Sequence, residues 1–163
     1  MEIRRLRAGE GAAIRELRMR ALRDAPYAFS SSLAAEENEP LAEWEELASR
    51  SEAASDSVVF VAVSESVWVG MIGGYVQDGE PAVGVWGMWV APEVRRQGAG
   101  SRLLDAVAEW ARGRGALRLA LSVSDRASDA AELYAARGFM PTGETRPLPS
   151  DTSATEISLA RPL

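Results

Sequence analysis

Between Val90 and Ser101 the chain reads VAPEVRRQGAGS, and no other stretch holds residue types and spacing so suited to chemistry. Two adjacent arginines, Arg95 and Arg96, are followed by Gly98 and Gly100. At the start of a helix the first N–H groups have no intrahelical acceptor and carry the positive end of the macrodipole. Glycines there let the backbone close around phosphate oxygens. The stretch Arg96, Gln97, Gly98, Ala99, Gly100 and Ser101 therefore reads as an anion cradle, with guanidinium groups free to add charge-assisted contacts. The bare pattern R-x-x-G-x-G also describes an ordinary turn entering a helix, and adjacent arginines are often only a solvated pair.

The chemistry open to the rest of the chain is set by what it lacks. All 18 basic residues are arginine, and lysine, histidine and cysteine are absent. This removes the Ser-His-Asp triad, a thiolate nucleophile, a Schiff-base or phosphate-loop lysine and nearly every zinc or haem site. Carboxylates, Tyr, Ser, Arg and backbone N–H groups remain. The net charge of −6 repels polyanions, so no nucleic acid partner is expected. No apolar run approaches a membrane span, and the arginine-bearing start Met1–Arg7 is not followed by an apolar stretch or cleavage site. A cytoplasmic protein with no membrane partner is expected. At 163 residues, with 47% hydrophobic content, a single domain covering 1–163 is the simplest organisation.

The elements that must position the cradle follow from periodicity. Glu2–Leu6 reads as a short strand, and Ile14, Leu17, Ala21 and Leu22 give a helical stripe over Gly11–Arg23. Asp24-Ala25-Pro26 ends that helix, Tyr27–Pro40 reads as a Ser- and Glu-rich connection facing the substrate, and a second helix covers Leu41–Arg50. Val58–Val63 is an apolar β-prone run, Val67–Val76 a second strand and Ala82–Val90 a third, joined by the turn Gln77–Pro81. After the glycine loop, Leu103, Leu104, Val107, Trp110 and Ala111 mark one helical face. A strand over Leu117–Val123, a helix over Ser128–Arg137 and a short strand from Phe139 complete a β-α-β-α-β pattern. Pro141–Ser153 reads as a loop, and Glu156–Ala160 alternates like a half-buried terminal strand. The class is α/β with a mixed sheet. Trp86 and Trp89, three apart on one strand, are expected on opposite faces, one in the core and one lining a cleft. Trp44, Trp68 and Trp110 are expected in the core or an interface.

The cradle segment, after a V-x-P strand end, resembles the acetyl-CoA loop of the GNAT superfamily of N-acetyltransferases, Q/R-x-x-G-x-G/A. Downstream, Leu121–Phe139 (LSVSDRASDAAELYAARGF) resembles that family's second block, A-x-x-L-Y-x-x-x-G-F, with Ala130, Leu133, Tyr134, Gly138 and Phe139 matching. Upstream, Leu17–Glu36 (LRMRALRDAPYAFSSSLAAE) is similar to the helical entry of many bacterial members.

The resemblance implies a GNAT-like splayed, mostly antiparallel sheet flanked by helices, parted between Ala82–Val90 and Leu117–Val123 to admit the pantetheine arm of acetyl-CoA. Backbone groups near Met88 and Val90 would hold that arm, Arg95 takes the Q/R position, and the pyrophosphate would sit on Arg96–Ser101. Tyr134 matches the tyrosine that protonates the departing thiolate; by spacing alone it reads as an aromatic anchor of its helix, and the motif is what favours the acid role. The reaction implied is acetyl transfer to a primary amine of a small molecule or peptide by direct attack, in an enzyme expected to be a homodimer. A noncatalytic acyl-CoA-binding or sensor domain would use the same cradle. Two positions depart from the family pattern: Ala127 stands where Asn is common, and Gly84 where some members carry a carboxylate base. Glu36, Glu37, Asp78 and Glu80 are the nearby carboxylates.

Overall fold

A computed structural model describes residues 1–163. Seven strands form one sheet: β1 (Glu2–Arg5), β2 (Ser57–Ser64), β3 (Val67–Val76), β4 (Ala82–Val90), β5 (Arg118–Ser124), β6 (Met140–Leu148) and β7 (Asp151–Pro162). Their order is β1-β2-β3-β4-β5-β7-β6. The helices are α1 (Gly11–Asp24), α2 (Leu33–Glu36), α3 (Leu41–Ala53), α4 (Ala99–Gly113) and α5 (Ser128–Ala136). Every neighbouring strand pair is antiparallel except β4 and β5, which run parallel and are therefore joined by a crossover helix, α4.

That one parallel pair shapes the molecule. β4 and β5 are matched only from Ala82 to Gly84 and from Arg118 to Ala120, and then they part. From Val85 onward β4 has no strand on that side, so its backbone groups face an open cleft. Helix α4 covers one face of the sheet through Leu103, Leu104 and Val107, all fully buried. It comes close because β3 offers glycine beneath it: a Cβ on Gly70 would lie 3.2 Å from Leu103 Cδ1, and one on Gly74 3.1 Å from Val107 Cγ1. Helices α1 and α3 pack together on the sheet's other face, with the core continuous between them.

Expected and observed elements agree to within a few residues for most of the chain, and two segments differ. Within Tyr27–Pro40 lies the short helix α2, started by Ser32, whose Oγ accepts from Ala35 N–H at 3.2 Å. The stretch Pro141–Ser153, expected as a loop, is mostly strand β6 and the start of β7. Strand β6 is exposed from Met140 to Pro147 and forms a sheet edge, so no buried face imposes alternation on it. An edge also tolerates Pro141 and Pro147, which lie where its register with β7 shifts.

Candidate active site

The loop between β4 and α4 is built to leave backbone N–H groups free. After a short turn at Pro92–Val94, Arg96 adopts φ +62° and Gly98 φ +85°, both left-handed. Gly98 is the residue before α4 and offers no side-chain cap. The first bond into the helix runs from Arg102 N–H to the Gly98 carbonyl at 3.1 Å, which leaves the amides of Ala99, Gly100 and Ser101 without intrahelical acceptors. Gly100 is a glycine for a different reason. A Cβ there would lie 2.9 Å from Leu133 Cδ2 and 3.0 Å from Met88 Cε, so β4, α4 and α5 meet at this point.

The C-terminal end of α1 fixes the loop. Asp24 accepts from Trp89 Nε1 at 2.9 Å and pairs with Arg95, whose Nε donates to the Val90 carbonyl at 2.9 Å. Arg20 pairs with Glu93, holding its carboxyl below the usual carboxylate range. Arg95 therefore ties the loop to α1, while Arg96 is exposed beside the free amides.

Where β4 leaves β5 it also carries a bulge. Gly73 is opposite Trp86 and Met71 opposite Trp89, so Gly87 and Met88 of β4 together oppose Ile72 alone on β3. Gly87 takes the extra step at φ +63°. Trp86 and Trp89 consequently share a face, contrary to the expectation from spacing alone. Trp89 is buried and Trp86 lines the cleft.

The cleft narrows to a small, mainly apolar cavity of about 60 Å³ between Trp86, Met88, Val123, Ala127, Ala130 and Tyr134. Tyr134 is 5% exposed and meets Phe139 edge-on at 5.6 Å. Burial alone pushes its phenol well above the ordinary value, so it stays protonated at physiological pH. Through Phe29, Trp86 and Gly87 this cavity joins a second one of about 760 Å³. The larger cavity is polar and lies over β5, β6 and β7, with Tyr75, Glu80, Arg118, Glu144, Arg146 and Glu156 in its walls. Glu80 pairs with Arg118, and buried Glu156 pairs with Arg146. Gly84 is covered by the Tyr75 ring: a Cβ at that position would lie 2.3 Å from Tyr75 Cζ, so no longer side chain fits without moving it.

The free amides at the start of α4 thus adjoin Met88 on the unpaired part of β4, and Met88 shares the small cavity with buried Tyr134. The sequence profile of the Acetyltransferase (GNAT) family matches residues 13–139, from within α1 to the turn before β6. The chain belongs to the GNAT acetyltransferase family. This GNAT chain is similar over 99% of its length to an acetyltransferase of the family from Streptococcus pneumoniae, at 18% identity and TM-score 0.86, covering 98% of that chain. A PaiA N-acetyltransferase from Thermoplasma acidophilum, solved in complex with coenzyme A, matches at 18% identity and TM-score 0.80, over 99% of this chain and 98% of that one. Nourseothricin acetyltransferase is 26% identical with TM-score 0.63, and 66% of each chain is covered. No curated protein sequence matches significantly.

Within this GNAT chain Met88 and Tyr134 line the same small cavity, Gly100 abuts Met88, and Arg95 turns toward α1. Glu36 is engaged by Arg18, and Glu80 reaches the larger cavity. The sequence reading missed Gly87, Tyr75, Arg18, Glu144 and Glu156. A lone glycine inside a strand pattern was the available signal for the bulge. The others carry no local signal, because they meet only through the sheet.

Proposed function

We propose that residues 1–163 form one N-acetyltransferase domain that moves an acetyl group from acetyl-CoA to a primary amine of a small molecule or peptide. The observation that carries this reading is proximity: Gly100 at the uncapped start of α4 abuts Met88 on the unpaired part of β4, and Met88 shares a small cavity with buried Tyr134. Acetyl-CoA is the cosubstrate, and it supplies an activated thioester. The chain's groups fit it. The amides of Gln97–Ser101, with Arg96, suit a pyrophosphate, and the open edge of β4 near Met88 and Val90 suits an amide-bearing arm, as an added strand suits a sheet edge. Arg95 supports the loop that presents them.

In the reaction the amine enters from the larger cavity and attacks directly. Amides at the β4 bulge stabilise negative charge on the carbonyl oxygen, and Tyr134 gives its proton to the departing sulfur. The chain puts glycine where a strand carboxylate would stand, so the amine proton leaves to water or to a cavity carboxylate. That gap also favours a second reading, a noncatalytic acyl-CoA sensor. No helix is long and apolar enough to cross a membrane, and we place the enzyme in the cytoplasm. The sheet edges at β1 and β6 support a homodimer, and light scattering giving the 17.5 kDa monomer at micromolar concentration would refute that. Thermal melting with and without CoA, followed by release of free thiol from acetyl-CoA with an amine panel, tests the function. Stabilisation at saturating CoA with thiol release is expected. Stabilisation without release would select the sensor, and no stabilisation would reject both.

A further inference from the structure

Arg18, on α1, is 6% exposed yet lines the larger cavity. Its Nε and Nη2 donate to Glu36 at 2.8 and 3.3 Å, and its guanidinium lies 4.6 Å from the centre of the Phe29 ring. The remaining nitrogen, Nη1, is buried with no hydrogen-bond partner. It faces the β4 bulge, 3.5 Å from the point a Gly87 Cβ would occupy. A buried guanidinium donor left unpaired is costly, so an acceptor that arrives from outside the chain would be strongly favoured there. Only an acceptor atom can satisfy it, since guanidinium has no acceptor of its own. Gly87 adds no side chain of its own there, where the Met71 methyl lies 3.3 Å from the same point, and Phe29 and Glu36 hold the guanidinium plane in one orientation.

We infer that Arg18 Nη1 binds the acyl oxygen of the acceptor, and that the acceptor is an α-aminoacyl compound, with its amine one carbon from a carboxylate or amide carbonyl. This rests on the acetyltransferase reading. The position of Nη1 sets the class. It lies beside Gly87, which lines both cavities, so a partner atom there would lie within a few bonds of the attacking nitrogen. A planar C=O group matches a guanidinium edge. The ion pairs Arg18–Glu36, Arg118–Glu80 and Arg146–Glu156 leave the walls nearly neutral. The unpaired carboxylate of Glu144 remains for the ammonium form of the amine. Free amino acids and peptide N-termini share this chemistry.

Calorimetric titration of the wild-type protein in the presence of CoA tests it without requiring turnover. The ligands are alaninamide, alanine, and 3-methylbutan-2-amine, in which an isopropyl group replaces the carboxamide. Alaninamide or alanine should bind roughly tenfold or more tightly than the isostere. Preference for alanine identifies free amino acids, and preference for alaninamide identifies peptide N-termini. In Arg18→Lys that preference should collapse, in KM as well as in binding, while the CoA-induced thermal shift persists. Equal binding of all three ligands by the wild type would overturn the inference, as would an equal loss for all three in Arg18→Lys. Loss of the CoA shift itself would instead count against the acetyltransferase reading.

Discussion

Replacing Tyr134 by Phe removes one oxygen and leaves the rest of the residue in place. The ring keeps its edge-on contact with Phe139 and its place among Met88, Ala127 and Ala130. Burial alone raises the phenol's pKa, with no hydrogen bond or charge contributing, so the hydroxyl gives the fold little. Loss of an unbonded hydroxyl should change stability by no more than about 0.5 kcal/mol, or roughly 1–2 °C in melting temperature for a domain of this size. The rate should fall much further. General acid assistance is worth about a hundred- to ten-thousandfold, and the loss should appear in kcat under conditions where chemistry limits turnover. Thiol release from acetyl-CoA gives the rate, and CoA-dependent melting gives binding. An acetyl donor with a better leaving group than the CoA thiolate should shrink the deficit. The pH dependence is a further check. Because the folded phenol holds its proton more tightly than the unfolded one, its contribution to stability is complete below pH ~10 and declines above that. The Phe variant should lack that alkaline component. An unchanged kcat, or a variant that melts many degrees lower, would return Tyr134 to a packing role.

Four other outcomes follow from the loop and the N-terminal strand. Gly98→Ala should cost roughly 1–2 kcal/mol, because φ +85° is strained for alanine although nothing lies within 4 Å. In Gly100→Ala, helix propensity of up to about 1 kcal/mol offsets crowding against Leu133 and Met88; a Gly98→Ala protein as stable as wild type would contradict the loop geometry. Arg96→Gly relieves a left-handed arginine, so stability should rise by about 0.5–1 kcal/mol while CoA affinity falls, and unchanged CoA calorimetry would remove Arg96 from the cradle. The hydrogen bond from Arg4 holds the Glu10 carboxyl below its ordinary range, so this pair stabilises the fold above pH ~4.5 and the contribution is lost as the pH falls further. Acid melting curves of Arg4→Gln should be flatter there, and parallel curves would show that the pair does not matter.

Legibility in the sequence followed the range of the interactions. Helices α1 and α4 announce themselves because each buries one stripe, and the cradle does so because its glycines and the helix start are adjacent in the chain. Strand β6 stayed hidden because an exposed edge strand with two prolines has neither alternation nor β-prone composition. The bulge at Gly87 cost more, since one extra residue reversed the facing of Trp89 relative to Trp86. The acceptor side was the least legible. Arg18, Tyr75 and Glu156 are far apart in sequence, and each has an ordinary neighbourhood there. Their grouping depends on sheet order and on the angle at which β4 leaves β5.

The parting of β4 and β5 also bears on the order of events. On the proposed reading the thioester reaches the gap from the side of α4 and α5, while the amine reaches it from the large cavity on the opposite face of the sheet. Neither reactant blocks the other's door, and nothing has to be parked on the protein between two half-reactions. Both reactants therefore occupy the enzyme together, and double-reciprocal plots at varied amine and acetyl-CoA should intersect rather than run parallel. The two products can leave in opposite directions, so an acetylated product should compete with the amine and leave the acetyl-CoA entrance free.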